Sequence, residues 1–132
     1  MIGLDANVLI RFLVGDDPEQ SQRARDIITS LSAEQPGYVS LVALVETLWV
    51  LRHHYRVARE RILDVVGGLL DVPTLRFQCS DDVRLAIDAS RRQGIDLPDA
   101  LLAQLDVAAG CSTTLTFDRR VTRLPSMSLV GQ

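Results

Sequence analysis

The chain has 132 residues, 47% of them apolar, two cysteines and a formal net charge of −3. That length fits one domain, residues 1–132, large enough for a real core, and no apolar run reaches the roughly 18 residues of a membrane span. The acidic balance argues against a nucleic-acid partner, the apolar start is broken by Asp5, Asn7 and Arg11 and so is not a secretory signal, and Cys79 and Cys111 have no metal-ligand spacing, which indicates buried or idle thiols of a reducing cytoplasm.

Residues 2–4 read as a first strand, too short to stand alone and therefore central and buried, ending on the carboxylate of Asp5. Residues 7–14 read as a short helix. Gly15-Asp16-Asp17-Pro18 is a helix-start signal, with an Asp cap and Pro at the first helical position. Ala24, Ile27, Ile28 and Leu31 then recur at helical spacing. Pro36-Gly37 reads as a turn, residues 38–39 as a very short strand, and Ser40 as the cap of the next helix. That helix, residues 41–55, is apolar nearly all round and is expected to be largely buried. Leu41, Leu44, Val45 and Leu48 share one face; Val42, Glu46, Trp49 and His53 share another.

Residues 56–70 predict a second helix with a basic first turn, and residues 74–77 a strand. Ser80 is placed to cap a helix that stops at Gly94. Asp96-Leu-Pro-Asp99 opens the next helix, which ends near Gly110. A strand over 113–117 runs straight into Asp118-Arg119-Arg120, and a last strand lies at 127–130. Strands alternating with helices predict an α/β fold with a parallel sheet and helices on both faces.

Four acids stand out: Asp5, Glu46, Asp99 and Asp118. Without them the chain has thirteen acids against fourteen basic residues, all arginine, so the remaining scaffold is about neutral. Asp5 and Asp118 each follow a strand, and ligands of open α/β sheets sit beyond the carboxyl ends of the strands. The plain alternative for either is a helix N-cap. Glu46 interrupts an apolar helix, where an unpaired buried carboxylate would cost several kcal/mol. It must meet a cation, a donor or a water-filled cleft, a salt bridge to arginine being the plain alternative. Asp96 suits a cap, with Asp99 at N3 in the manner of a capping box; N3 also projects where anions and metal-bound phosphates gather.

Hard oxygen donors without ligand-spaced His or Cys select Mg²⁺, with Mn²⁺ as a substitute, rather than Zn²⁺. The chemistry that uses such a cluster is metal-assisted phosphodiester cleavage. Asn7, Ser40 and Thr116 are candidates to support these ligands, each with an equally good reading as a turn, cap or strand residue. His53 and His54 are expected at or near the surface, and Trp49 in the core or an interface.

These segments together resemble the PIN domain family, and within it the VapC-type toxins of bacterial toxin–antitoxin pairs. The resemblance lies in I-G-L-D-A-N-V-L-I-R-F-L-V-G-D-D-P-E-Q, Y-V-S-L-V-A-L-V-E-T-L-W-V-L, I-D-L-P-D-A-L-L-A and T-L-T-F-D-R, in order along nearly the whole chain. Each piece alone is weak; four in sequence are specific. The chain departs from the pattern at Ala6, where Thr is frequent, and at Leu97-Pro98, where an aromatic and a small residue are usual. The resemblance implies a three-layer α/β/α sandwich around a five-stranded parallel sheet. It implies that Asp5, Glu46, Asp99 and Asp118 form an acidic Mg²⁺ site, with Asp5 and Asp99 as its first direct ligands. It further implies endoribonuclease activity on an RNA substrate, a VapB-type antitoxin that blocks it, a homodimer and a cytoplasmic location. A PIN domain that is not a toxin, either an RNA-processing nuclease or a nucleic-acid-binding module, is the alternative. A receiver domain and a haloacid-dehalogenase-like phosphatase are disfavoured, because both use a lysine and the latter needs Asp where Asn7 stands.

Overall fold

The computed structural model describes residues 1–131, which form two compact units, Met1–Gln78 and the described residues from Cys79 onward. The first unit runs β1 (Ile2–Gly3), α1 (Ala6–Val14), α2 (Pro18–Ser30), β2 (Gly37–Val39), α3 (Leu41–Trp49), a π-helical turn (Val50–His54), α4 (Arg59–Leu70) and β3 (Leu75–Phe77). Its strands lie side by side in the order β1-β2-β3, all parallel, with Ile2 opposite Gly37 and Gly37 opposite Leu75. The central strand begins on glycine for a steric reason. A Cβ at Gly37 would stand 2.8 Å from Leu31 Cδ1 and 2.9 Å from Leu4 Cδ1, inside any normal contact. Pro36-Gly37 therefore feeds the strand directly rather than forming a separate turn.

Helix ends follow local chemistry. Asp17 accepts from the Gln20 N–H at 3.0 Å, and Ser40 accepts from the Ala43 N–H at 3.2 Å, so both predicted caps are present. α3 is less buried than its composition predicts. It buries Ala43, Leu44, Thr47 and Leu48, while Val42 is 71% exposed and Trp49 59% exposed. Arg56 adopts a left-handed φ of 56°, which keeps it out of α4 and delays that helix to Arg59.

The second unit runs α5 (Ser80–Gln93), α6 (Leu97–Ala108), β4 (Thr114–Thr116), a 3-10 helix (Arg119–Arg123) and β5 (Met127–Leu129). α5 packs on α6, and Ile95, Ala103, Val121, Leu124 and Met127 form a buried cluster. Ser80 is the first residue of α5 rather than its cap. The capping position falls to Cys79, at φ 51° and with no side-chain bond to the helix. Gly94 ends α5 at φ 67°, donating to the Ser90 carbonyl, a conformation glycine adopts without penalty.

β4 pairs with β5 in parallel, Thr114 opposite Met127. The expected five-stranded sheet is thus corrected to a three-stranded sheet and a two-stranded one. Strands of two or three residues offer few ladder hydrogen bonds each, so pairing is sparse. The α/β class with parallel strands stands. Among the described residues no helix is long and apolar enough to cross a membrane.

Candidate active site

In the first unit Asp5 occupies the capping position of α1, where its carbonyl accepts from the Val8 and Leu9 N–H groups at 3.0 and 3.3 Å. Its side chain makes no capping bond. Asp5 Oδ2 accepts instead from Asn7 Nδ2 at 3.1 Å, and the residue remains exposed. Asn7 thus steers the Asp5 carboxylate, and the plain capping alternative for Asp5 is not taken up.

Glu46 is exposed, because the buried face of α3 lies on the other side of the helix. Among the described residues it forms no ion pair, so the arginine salt bridge is absent. Glu46 and Asn7 line one open groove of about 380 Å³ together with Ala6, Ile10, Val45, Trp49 and Val50. The cleft anticipated for this carboxylate is present, although the burial that motivated it is not. Ser40 serves as a helix cap. Trp49 is not core; its ring lies 5.0 Å from that of His53, and both histidines are exposed.

In the second unit Asp96 stands at the capping position of α6 without a side-chain cap bond, so the capping box does not form. Asp99 lies in the first turn of that helix. It keeps an exposed edge, yet surrounding protein displaces water from its carboxyl. That desolvation pushes its pKa above the ordinary value, the charges of Asp118 and Asp96 add to the rise, and Arg120 opposes it. Such crowding of negative charge around hard oxygen donors suits a divalent cation, which would neutralise it.

Asp118 caps the 3-10 helix, accepting from the Arg120 N–H at 2.9 Å. It also accepts from the Arg120 guanidinium, Nε to Oδ1 at 3.1 Å and Nη2 to Oδ2 at 2.8 Å. The guanidinium bonds, and then the backbone bond, hold its pKa below the usual carboxylate value. Thr116 Oγ1 accepts from the Asp118 N–H at 3.0 Å and so fixes the start of this segment. Each unit thus presents two of the four acids. Among the described residues no group of three or more His, Cys, Asp or Glu side chains stands ready to hold a metal ion.

The model of the PIN domain matches residues 2–126, a span that takes in all four acids. The chain belongs to the PIN domain family. Among proteins similar to this PIN domain is the VapC ribonuclease of Aquifex aeolicus (strain VF5). It is 29% identical over 123 residues, which cover 92% of this chain and 90% of the relative.

Two features of this PIN domain escaped the sequence. Arg120 is the partner of Asp118; a capping Asp followed two residues later by Arg carried that signal. Cys79 and Cys111 are free and exposed, so of the two alternatives, buried or idle, burial is the one that does not hold.

Proposed function

We propose that this PIN domain is a VapC-like, Mg²⁺-dependent endoribonuclease, with Mn²⁺ able to replace Mg²⁺. The observation that carries the reading is the likeness to a VapC ribonuclease along nine-tenths of both chains. Asp5, Glu46, Asp99 and Asp118 are its metal-holding acids, a role supported by the four motifs that resemble the family and by their hard-oxygen chemistry. The bound ion supplies Lewis-acid activation of water and neutralises charge developing on the phosphodiester. The chain's own residues do the rest. Asn7 holds one oxygen of Asp5, which keeps that carboxylate oriented without a protein cation. Thr116 anchors the backbone at Asp118. Glu46 faces an open groove, where it is accessible to solvent and ligand.

The chain works as one domain over residues 1–132, with helix layers flanking its parallel strands, in the cytoplasm and as a homodimer. A VapB-type antitoxin is its inhibitor. Support for a protein partner comes from Val42, Val45 and Trp49, exposed around Glu46. A segment with apolar side chains and one basic residue matches that chemistry.

The test is cleavage of a panel of structured RNAs in Mg²⁺, Mn²⁺ or EDTA. Cleavage is expected only with metal. Asp5→Asn is expected to lower the rate by at least a hundredfold while the far-UV circular dichroism stays unchanged. Full activity in EDTA would overturn the mechanism.

A further inference from the structure

Among the described residues, Asp118 is the one of the four acids that forms an ion pair with an arginine of its own chain, Arg120, at 2.8 Å. Three donors of one residue hold it. The backbone N–H and Nε of Arg120 reach Oδ1, and Nη2 reaches Oδ2. Both carboxylate oxygens are therefore engaged, in the fork geometry that guanidinium matches best. A hard divalent cation must approach a carboxylate oxygen to little more than 2 Å, and a guanidinium on the same oxygens presents like charge to it.

The arrangement is also easily undone. The Arg120 side chain is 85% exposed. Exposed ion pairs are weak, so water and a competing ion suffice to release it. Arg120 also lies within electrostatic range of Asp99 and Asp96.

We infer that the Arg120 guanidinium is the resident counter-ion of Asp118, which a divalent cation must displace, so that metal uptake and release of Arg120 are one event. The inference rests on the metal-dependent reading proposed above. It makes Arg120 a positioning residue that acts through Asp118.

The test is titration of the full chain with Mn²⁺ alone at low salt, with free Mn²⁺ followed by electron paramagnetic resonance. Arg120→Gln is expected to bind Mn²⁺ about two- to five-fold more tightly than wild type, the range an exposed ion pair allows. Arg119→Gln removes the same charge one residue away, where no side-chain bond reaches Asp118, and is expected to shift affinity less. In an Asp118→Asn background Arg120→Gln should strengthen binding less than it does in the wild-type background, because the bonds it relieves have gone and only its charge near Asp99 and Asp96 remains to be removed. Wild-type binding that Arg120→Gln leaves unchanged or weakens, or that Arg119→Gln strengthens equally, overturns the role of Arg120 alone. No Mn²⁺ binding by any variant at millimolar concentration overturns the metal reading and this inference with it.

Discussion

Tyr55 and Asp16 show how one hydrogen bond ties distant stretches of chain. The Tyr55 hydroxyl donates to Asp16 Oδ2 at 2.7 Å across 39 positions of sequence. Arg11 donates from Nη1 to Asp16 Oδ1 at 2.8 Å and from Nε to Gln20 Oε1 at 2.7 Å. The Tyr55 bond, aided by Arg11 against partial desolvation, holds the Asp16 carboxyl below its ordinary value of 3.8. A carboxyl depressed in the folded state contributes stability above its unfolded pKa, and the contribution is lost as pH falls through the folded value. The window therefore lies below about pH 4. Tyr55→Phe should move the Asp16 titration back up, and the stability gap between variant and wild type should close in acid. A carbon-detected NMR titration of the Asp16 carboxyl checks this; an unmoved titration would show that Tyr55 does not set it. Gly37 offers a steric counterpart. A Cβ there meets the side-chain ends of Leu31, Leu4 and Leu75 at once, all three buried, so three core side chains must shift together. Gly37→Ala should destabilise the fold by about 1–3 kcal/mol, read from urea unfolding with activity left aside.

α3 separates what sequence expresses from what it hides. Its cap was legible because Ser40 acts within three residues, and so was the cap of α2 at Asp17. Gly94 marked the end of α5 for the same local reason. The two faces of α3 were legible, but the extent of its burial was not. Leu44 and Leu48 are buried and Val42, Glu46 and Trp49 exposed, as the spacing divides them. An apolar composition nearly all round gave no sign that the second face stays exposed. The sheet division was hidden too, since strands this short carry no sign of their neighbours. Cys79 resisted prediction because a left-handed conformation at a non-glycine residue is a property of the surrounding structure. The site followed the same pattern: the four acids were visible as residue types in motifs, whereas the exposure of Glu46 and the arginine on Asp118 depended on three-dimensional placement. Two substitutions on α3 distinguish its faces. Leu48, 1% exposed, should lose about 2–5 kcal/mol on change to Ala. Val42→Ser should stay within about 0.5 kcal/mol of wild type, as surface changes do. Chemical denaturation of both checks the assignment, and equal losses would mean that Val42 is covered in solution.

At the scale of the whole molecule, the net charge of −3 conceals a nearly neutral scaffold carrying the four acids proposed to hold metal. Charge held in this way makes stability depend on the ion proposed to bind there. A ligand that binds only the folded chain stabilises it by about 2.7 kcal/mol at a hundredfold excess over its Kd. For a chain of this size each kcal/mol moves Tm by about 3–5 °C, so saturating Mg²⁺ should raise Tm by roughly 10 °C over EDTA. Equal ionic strength from NaCl should do much less, because screening acts on exposed charges generally rather than on a particular set of oxygens. Asp5→Asn and Asp118→Asn should each remove most of the Mg²⁺ effect. They should leave Tm in EDTA unchanged or, for Asp118→Asn, slightly lowered by loss of the Arg120 bonds. Differential scanning calorimetry at several Mg²⁺ concentrations supplies the measurement, independent of any RNA substrate. A Mg²⁺ shift that survives in both variants would place the ion elsewhere and remove Asp5 and Asp118 from the proposed site.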